Sequence, residues 1–189
     1  MRAVIAGFEP FAGRRHNRSE RAVRRLAGMA EVELATLPVS FARLPAALDA
    51  LFASEPDLVL LCGESRRADE LLVERVALNV ADSRVPDNDG VLASGARLDH
   101  GGPLAREVQF DPARIVHALR AKGLRASVSS HAGTFLCNAA LYAALAHPRA
   151  LTAFIHVPAR RRPFRAGAVA RGLRIALAVM ADVRGHSLP

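Results

Sequence analysis

Tryptophan is missing from this sequence, Tyr142 is its one tyrosine and Lys122 its one lysine. Without aromatic rings interleaved among its cations, the chain lacks the stacking platform of a single-strand nucleic-acid binder. The formal charge of +8 and the run PARRRPFR at residues 158–165 therefore read as a solvated basic surface, and nucleic acid is not the expected partner. Long apolar runs are missing too, since none approaches the roughly 20 residues of a membrane-spanning helix. The opening stretch MRAVIAGFEPF is too short for a secretion signal and carries the acidic Glu9. No membrane partner is expected, and the expected location is the cytoplasm. Cysteine occurs only as Cys62 and Cys137. One pair at most could form and a reducing compartment disfavours it, so both read as free thiols. Repeats, low-complexity linkers and composition breaks are absent as well. A single domain across residues 1–189 is expected, with enough apolar sequence (51% hydrophobic against 23% charged) to bury a sizeable core.

What is present alternates. Residues 3–8 (AVIAGF), 57–63 (DLVLLCG) and 152–158 (TAFIHVP) are short apolar runs bounded by Gly or Pro, the pattern of strands buried on both faces. Residues 32–38 and 126–130 are weaker strand candidates. Between them lie helical periodicities. SERAVRRLAG offers Ser19 as N-cap and Gly28 as stop, and DPARIVHALRAKG offers Asp111 as cap, Pro112 at the first helical position and Gly123 as terminator. Residues 41–56 and 166–183 also carry apolar residues at helical spacing. Alternation of this kind predicts an α/β fold, an α/β/α sandwich around a mostly parallel, twisted sheet with right-handed crossovers.

Three residues carry candidate chemistry. In residues 71–90 a two-residue period puts Leu72, Glu74, Val76, Leu78 and Val80 on one face, leaving Glu74 as a carboxylate among apolar neighbours. Either it finds a buried partner, or the segment lies at the surface and Glu74 pairs with an arginine. The PDNDG that follows predicts a tight turn with positive φ at Asn88 or Gly90. His156 lies near the end of an apolar strand, where open parallel sheets place their ligands; alone it also fits a hydrogen-bonded core histidine. Cys137, in HAGTFLCN, opens a helix after a strand. Small buried cysteines are common, yet a helix N-terminus beside an imidazolium lowers a thiol's pKa. Together the three could supply nucleophile, base and orienting carboxylate.

Four blocks in order, GFEPFAG at residues 7–13 followed by Asn17 and Ser19, ERVALNVADSRVPDN at 74–88, HAGTFLCN at 131–138 and FIHVP at 154–158, make the chain resemble the pyroglutamyl peptidase I family, also called pyrrolidone-carboxylate peptidases. The resemblance covers nearly the whole chain and implies an α/β/α fold. It implies a cysteine exopeptidase that hydrolyses the amide bond after an N-terminal pyroglutamyl residue, with Glu74, Cys137 and His156 as its triad. It implies Phe8 and Phe11 as walls for the pyrrolidone ring, Asn17 beside them in substrate binding, and Arg84 as a positive charge near the oxyanion. The implied partner is a peptide or small amide with a blocked N-terminus, and no metal or organic cofactor is called for. Family members often assemble, so a homo-oligomer stays open. The chain departs from the family at Ala12, where a glycine is usual, and at Arg67 and Ala68, where Gly-Arg is usual. Residues 63–68 are therefore expected to bear on substrate choice. A related thiol amidase for another N-acyl or lactam-like group, and an inactive relative with an arginine-rich binding surface, are the alternatives.

Overall fold

The computed structural model describes residues 1–159 and 164–185, so most of the arginine run lies outside the described residues. Six strands form the central sheet: β1 (Ala3–Phe8), β2 (Val32–Leu37), β3 (Leu58–Ser65), β4 (Leu71–Glu74), β9 (Ala126–Ser129) and β10 (Leu151–Pro158). Their order is β2-β1-β3-β10-β4-β9, and every neighbouring pair is parallel except β10 with β4. Helices α1 (Arg18–Arg24), α3 (Ala113–Ala121) and α5 (Ala166–Val183) cover one face, and α2 (Leu44–Phe52) and α4 (Leu136–Ala144) cover the other. Two short hairpin-like pairings, β5 (Val76–Leu78) with β8 (Ala105–Glu107) and β6 (Ala81–Asp82) with β7 (Ser94–Ala96), extend beyond the sheet. No helix among the described residues is long and apolar enough to cross a membrane.

Strand parity decides what faces what. Ile5, Leu60, Val73 and Ile155 pack under α1, α3 and α5, while Val4, Leu61 and Phe154 pack under α2 and α4. Because side chains alternate across a strand, Gly63, Glu74 and His156 fall on the α2/α4 side with Phe154. Cys62 falls on the other face and belongs to the opposite core.

Several local expectations are corrected. Asn17, not Ser19, is the N-cap of α1: its side chain accepts from the Ser19 N–H at 2.9 Å. The Ser19 hydroxyl instead accepts from the Phe8 N–H at 3.0 Å and donates to Asn17. The alternation expected through residues 72–80 fails because Val73, Ala77 and Asn79 of the opposite face are buried while Leu72, Val76, Leu78 and Val80 are only partly so. β4 is covered on both faces, so burial there follows sheet position and not a two-residue period. At the turn, Gly90 takes the positive φ (84°). Ala12 also has positive φ, 54°, a conformation that costs a residue with a Cβ about 1–2 kcal/mol and that a glycine would adopt freely.

Candidate active site

α4 begins without a side-chain cap: Phe135 occupies the N-cap position in extended conformation and offers no side-chain hydrogen bond. The N–H groups of its first turn, that of Cys137 included, have no intrahelical acceptor. The helix start is held by Asn138, which is fully buried and saturated. Its Oδ1 accepts from the Leu78 N–H at 2.7 Å, and its Nδ2 donates to the carbonyls of Leu78 at 2.8 Å and Val80 at 3.0 Å. Thr134 adds two further ties, donating its hydroxyl to the Asp82 carbonyl and accepting the Asp82 N–H. A buried amide satisfied in this way fixes the segment's position as well as its fold.

Cys137 is half-buried and lies against β3. A Cβ on Gly63 would stand 2.6 Å from the Cys137 sulfur and 2.8 Å from the Phe154 ring, so only glycine admits the thiol. Gly63 was not singled out from the sequence as part of the site; the signal was a glycine interrupting a buried apolar strand, which often marks close approach of another group. Gly63→Ala is expected to displace the sulfur and lower kcat/KM by about 10²-fold, the scale of a misplacement near 1 Å. Steady-state kinetics together with the Cys137 alkylation rate check this, and wild-type values for both would show that the helix start yields freely.

The register of β10 with β4 places His156 opposite Leu72, which puts Glu74 on the same face as a diagonal neighbour. Nδ1 of His156 stands 2.7 Å from Oε1 of Glu74, whose residue is 1% exposed. The other Glu74 oxygen, Oε2, meets no hydrogen-bond partner among the described residues, so the charge of this carboxylate is answered by one imidazole. Cys137 is the other group that acts on His156. With Nδ1 committed to the carboxylate, Nε2 is the nitrogen left for the thiol. Burial pulls the imidazole's pKa down, but the thiolate charge and hydrogen bond of Cys137 and then those of Glu74 outweigh it, pushing His156 up to about 10. Cys62 behaves oppositely: burial, with the Cys137 and Glu64 charges adding to it, pushes its pKa up and keeps it a thiol.

The remaining expected residues divide. Phe11 is half-buried, with its ring 6.4 Å from that of Phe135, and Phe41 meets Phe135 edge-on at 5.6 Å. These three rings stand beside the start of the cysteine helix. Phe8 is 2% exposed and packs against Phe154 at 6.5 Å, so it backs the site from the core and presents no open wall. Asn17 is also buried, and its Nδ2 donates to the Glu9 carbonyl at 3.1 Å. Arg84 is exposed on the segment after β6. Within residues 63–68, the Glu64 side chain is turned to the start of α1, where it accepts from Arg14 and from the Arg18 N–H at 2.9 Å. Arg18 in turn donates to the Pro158 carbonyl at 2.6 Å. Glu64 thus ties β3 to α1, leaving only Arg66 and Arg67 of that segment's charged residues exposed. Phe41 and Phe135 went unnoticed in the sequence because an aromatic ring carries no periodic signal in a loop. Among the described residues, no group of three His, Cys, Asp or Glu side chains could hold a metal ion.

Comparison with known proteins places the chain among relatives. A profile of the pyroglutamyl peptidase family matches residues 1–163. The pyrrolidone-carboxylate peptidase of Thermococcus onnurineus is 41% identical over 168 residues, 84% of this chain and 84% of that protein. That of Coprothermobacter proteolyticus is 36% identical, covering 96% of this chain and 97% of the relative. The crystal structure of pyroglutamyl peptidase I from Bacillus amyloliquefaciens superposes with a TM-score of 0.90 at 30% identity, covering 95% of this chain and 94% of that one.

Proposed function

Because the chain belongs to the pyroglutamyl peptidase family of cysteine peptidases, we propose that it hydrolyses the amide bond after an N-terminal pyroglutamyl residue through Cys137, His156 and Glu74. The observation that carries this reading is the imidazole of His156 held by Glu74 at 2.7 Å on the sheet face against which the Cys137 sulfur also lies. The Cys137 sulfur, whose proton His156 already holds, attacks the pyroglutamyl carbonyl carbon. The carbonyl oxygen takes up negative charge beside the free N–H groups at the start of α4, which face it with the positive end of a helix dipole. Arg84 is the candidate for added positive charge there. The C–N bond then breaks as His156 returns the proton to the leaving amine. Water, deprotonated by the same imidazole, cleaves the thioester, releasing pyroglutamate and restoring the thiol. Glu74 holds the Nδ1–H tautomer and stabilises the imidazolium throughout.

The pyrrolidone ring is flat, largely apolar and carries one amide, and aromatic walls suit it. Phe11, Phe41 and Phe135 supply those walls, Phe8 supports them from below, and Asn17 contributes by fixing the backbone at Glu9. The test is incubation of the purified protein with a fluorogenic pyroglutamyl amide beside alanyl and acetyl-amino-acyl analogues. Cleavage confined to the pyroglutamyl compound is expected. Cleavage of an acetyl analogue with the pyroglutamyl compound left intact would replace this substrate with another N-acyl group.

A further inference from the structure

Glu9 directly follows β1, and its carboxylate is the node of a polar clasp set apart from the reacting atoms. Glu9 Oε1 accepts from the Val39 N–H at 2.9 Å, from Asn88 Nδ2 at 3.0 Å and from Arg43 at 3.1 Å. Arg43 grips Asp89 with Nε and a terminal nitrogen, both at 3.2 Å, and Ser40 donates to the same carboxylate. Asn88 also donates to the Pro10 carbonyl at 2.9 Å, and its own N–H reaches the Val39 carbonyl at 2.8 Å. Beneath them buried Asp87 accepts from the N–H groups of Phe41 at 2.9 Å, Asp89 at 3.0 Å and Val91 at 2.8 Å.

Three loops meet in this network: residues 9–13 after β1, residues 38–43 after β2 and residues 83–92 after β6. The first carries Phe11 and the second carries Phe41, the two rings that converge on Phe135 beside Cys137. No strand pairing links these loops to one another, so apart from the Asn88 N–H bond to the Val39 carbonyl their relative position depends on side-chain bonds. We propose that Glu9, acting through Arg43, Asn88 and Asp89, is a positioning residue that holds the Phe11 and Phe41 walls at the spacing the bound acyl group requires. The inference rests on the pyroglutamyl reading for the identity of that group but not for the clasp itself. The hydrogen bonds from Val39, Asn88 and Arg43 outweigh burial and hold the Glu9 pKa below the usual carboxylate value, so the node is anionic at neutral pH. A clasp of this kind acts on binding, because it touches neither the thiol nor the imidazole. In the sequence Glu9 stood out only as an acidic residue unsuited to a secretion signal, within GFEPFAG.

The test compares Glu9→Gln and Arg43→Met, singly and together, with the unaltered protein. Arg43 is largely exposed, so its variant keeps the test open should the Glu9 variant fold poorly. For the fluorogenic pyroglutamyl amide, KM is expected to rise about tenfold in each single variant, with kcat within about twofold and the double variant no worse than the weaker single one. Alkylation of Cys137 by iodoacetamide should keep its rate, and hydrogen exchange should quicken in residues 38–43 and 83–92. A fall in kcat at constant KM, or unchanged exchange in both loops, would overturn the proposal. If the unaltered protein leaves the pyroglutamyl amide intact, the substrate reading fails, and the exchange measurement alone decides the clasp in the same two directions.

Discussion

Cys137→Ala is expected to lower kcat/KM for a pyroglutamyl amide by on the order of 10⁴- to 10⁶-fold, the loss that follows removal of a nucleophile from a coupled triad. Cys62→Ala is expected to leave the rate within about twofold. The two thiols make a natural pair of controls because one sheet separates them. Cys62 points into the core beneath α1, α3 and α5, and burial keeps it protonated. Cys137 lies on the other face, and its charge acts on an imidazole that is itself held charged. Equal losses in the two variants, with circular dichroism unchanged, would contradict the assignment.

Glu74→Gln should keep the fold and lose about 10⁴-fold in kcat, the scale seen when a triad carboxylate becomes an amide. An amide cannot stabilise the imidazolium, and its NH2 group can turn toward Nδ1 and select the wrong tautomer. The pH profile gives a second readout. In the proposed mechanism His156 must hold a proton to release the leaving amine, so activity is expected to fall as pH rises through its pKa, near 10 in the unaltered protein. Glu74 raises that pKa by hydrogen bond and by charge. Its loss lowers the value, so the alkaline limb of the residual activity moves to lower pH. An unchanged rate and an unmoved limb would mean that His156 is oriented by something other than Glu74.

The architecture was legible wherever burial on both faces leaves an apolar run. β1 and α5 have the boundaries that periodicity and flanking residues predict. The antiparallel placement of β4 and the small β5/β8 and β6/β7 pairings were not, because short strands take their direction from tertiary contacts. The candidate site was legible as three residue types but not as a geometry. Glu74 had two open readings, and what separates them is the register of β4 against β10, which no local pattern encodes. Phe8 illustrates the converse: its motif marks a functional segment, yet strand parity turns its ring inward against Phe154. Gly63 was legible only as the start of a segment bearing on substrate choice, because its importance beside the thiol lies in an atom it lacks.

The central claim is that the Cys137 sulfur is acylated by the group the enzyme removes. Mass spectrometry of protein quenched in acid during turnover of a pyroglutamyl amide, followed by peptide mapping, tests it most directly. The account predicts one added pyroglutamyl group on the peptide containing Cys137, absent from Cys137→Ala and lost on return to neutral buffer. Turnover with no adduct at Cys137, or with the acyl group mapped to Cys62, would contradict it.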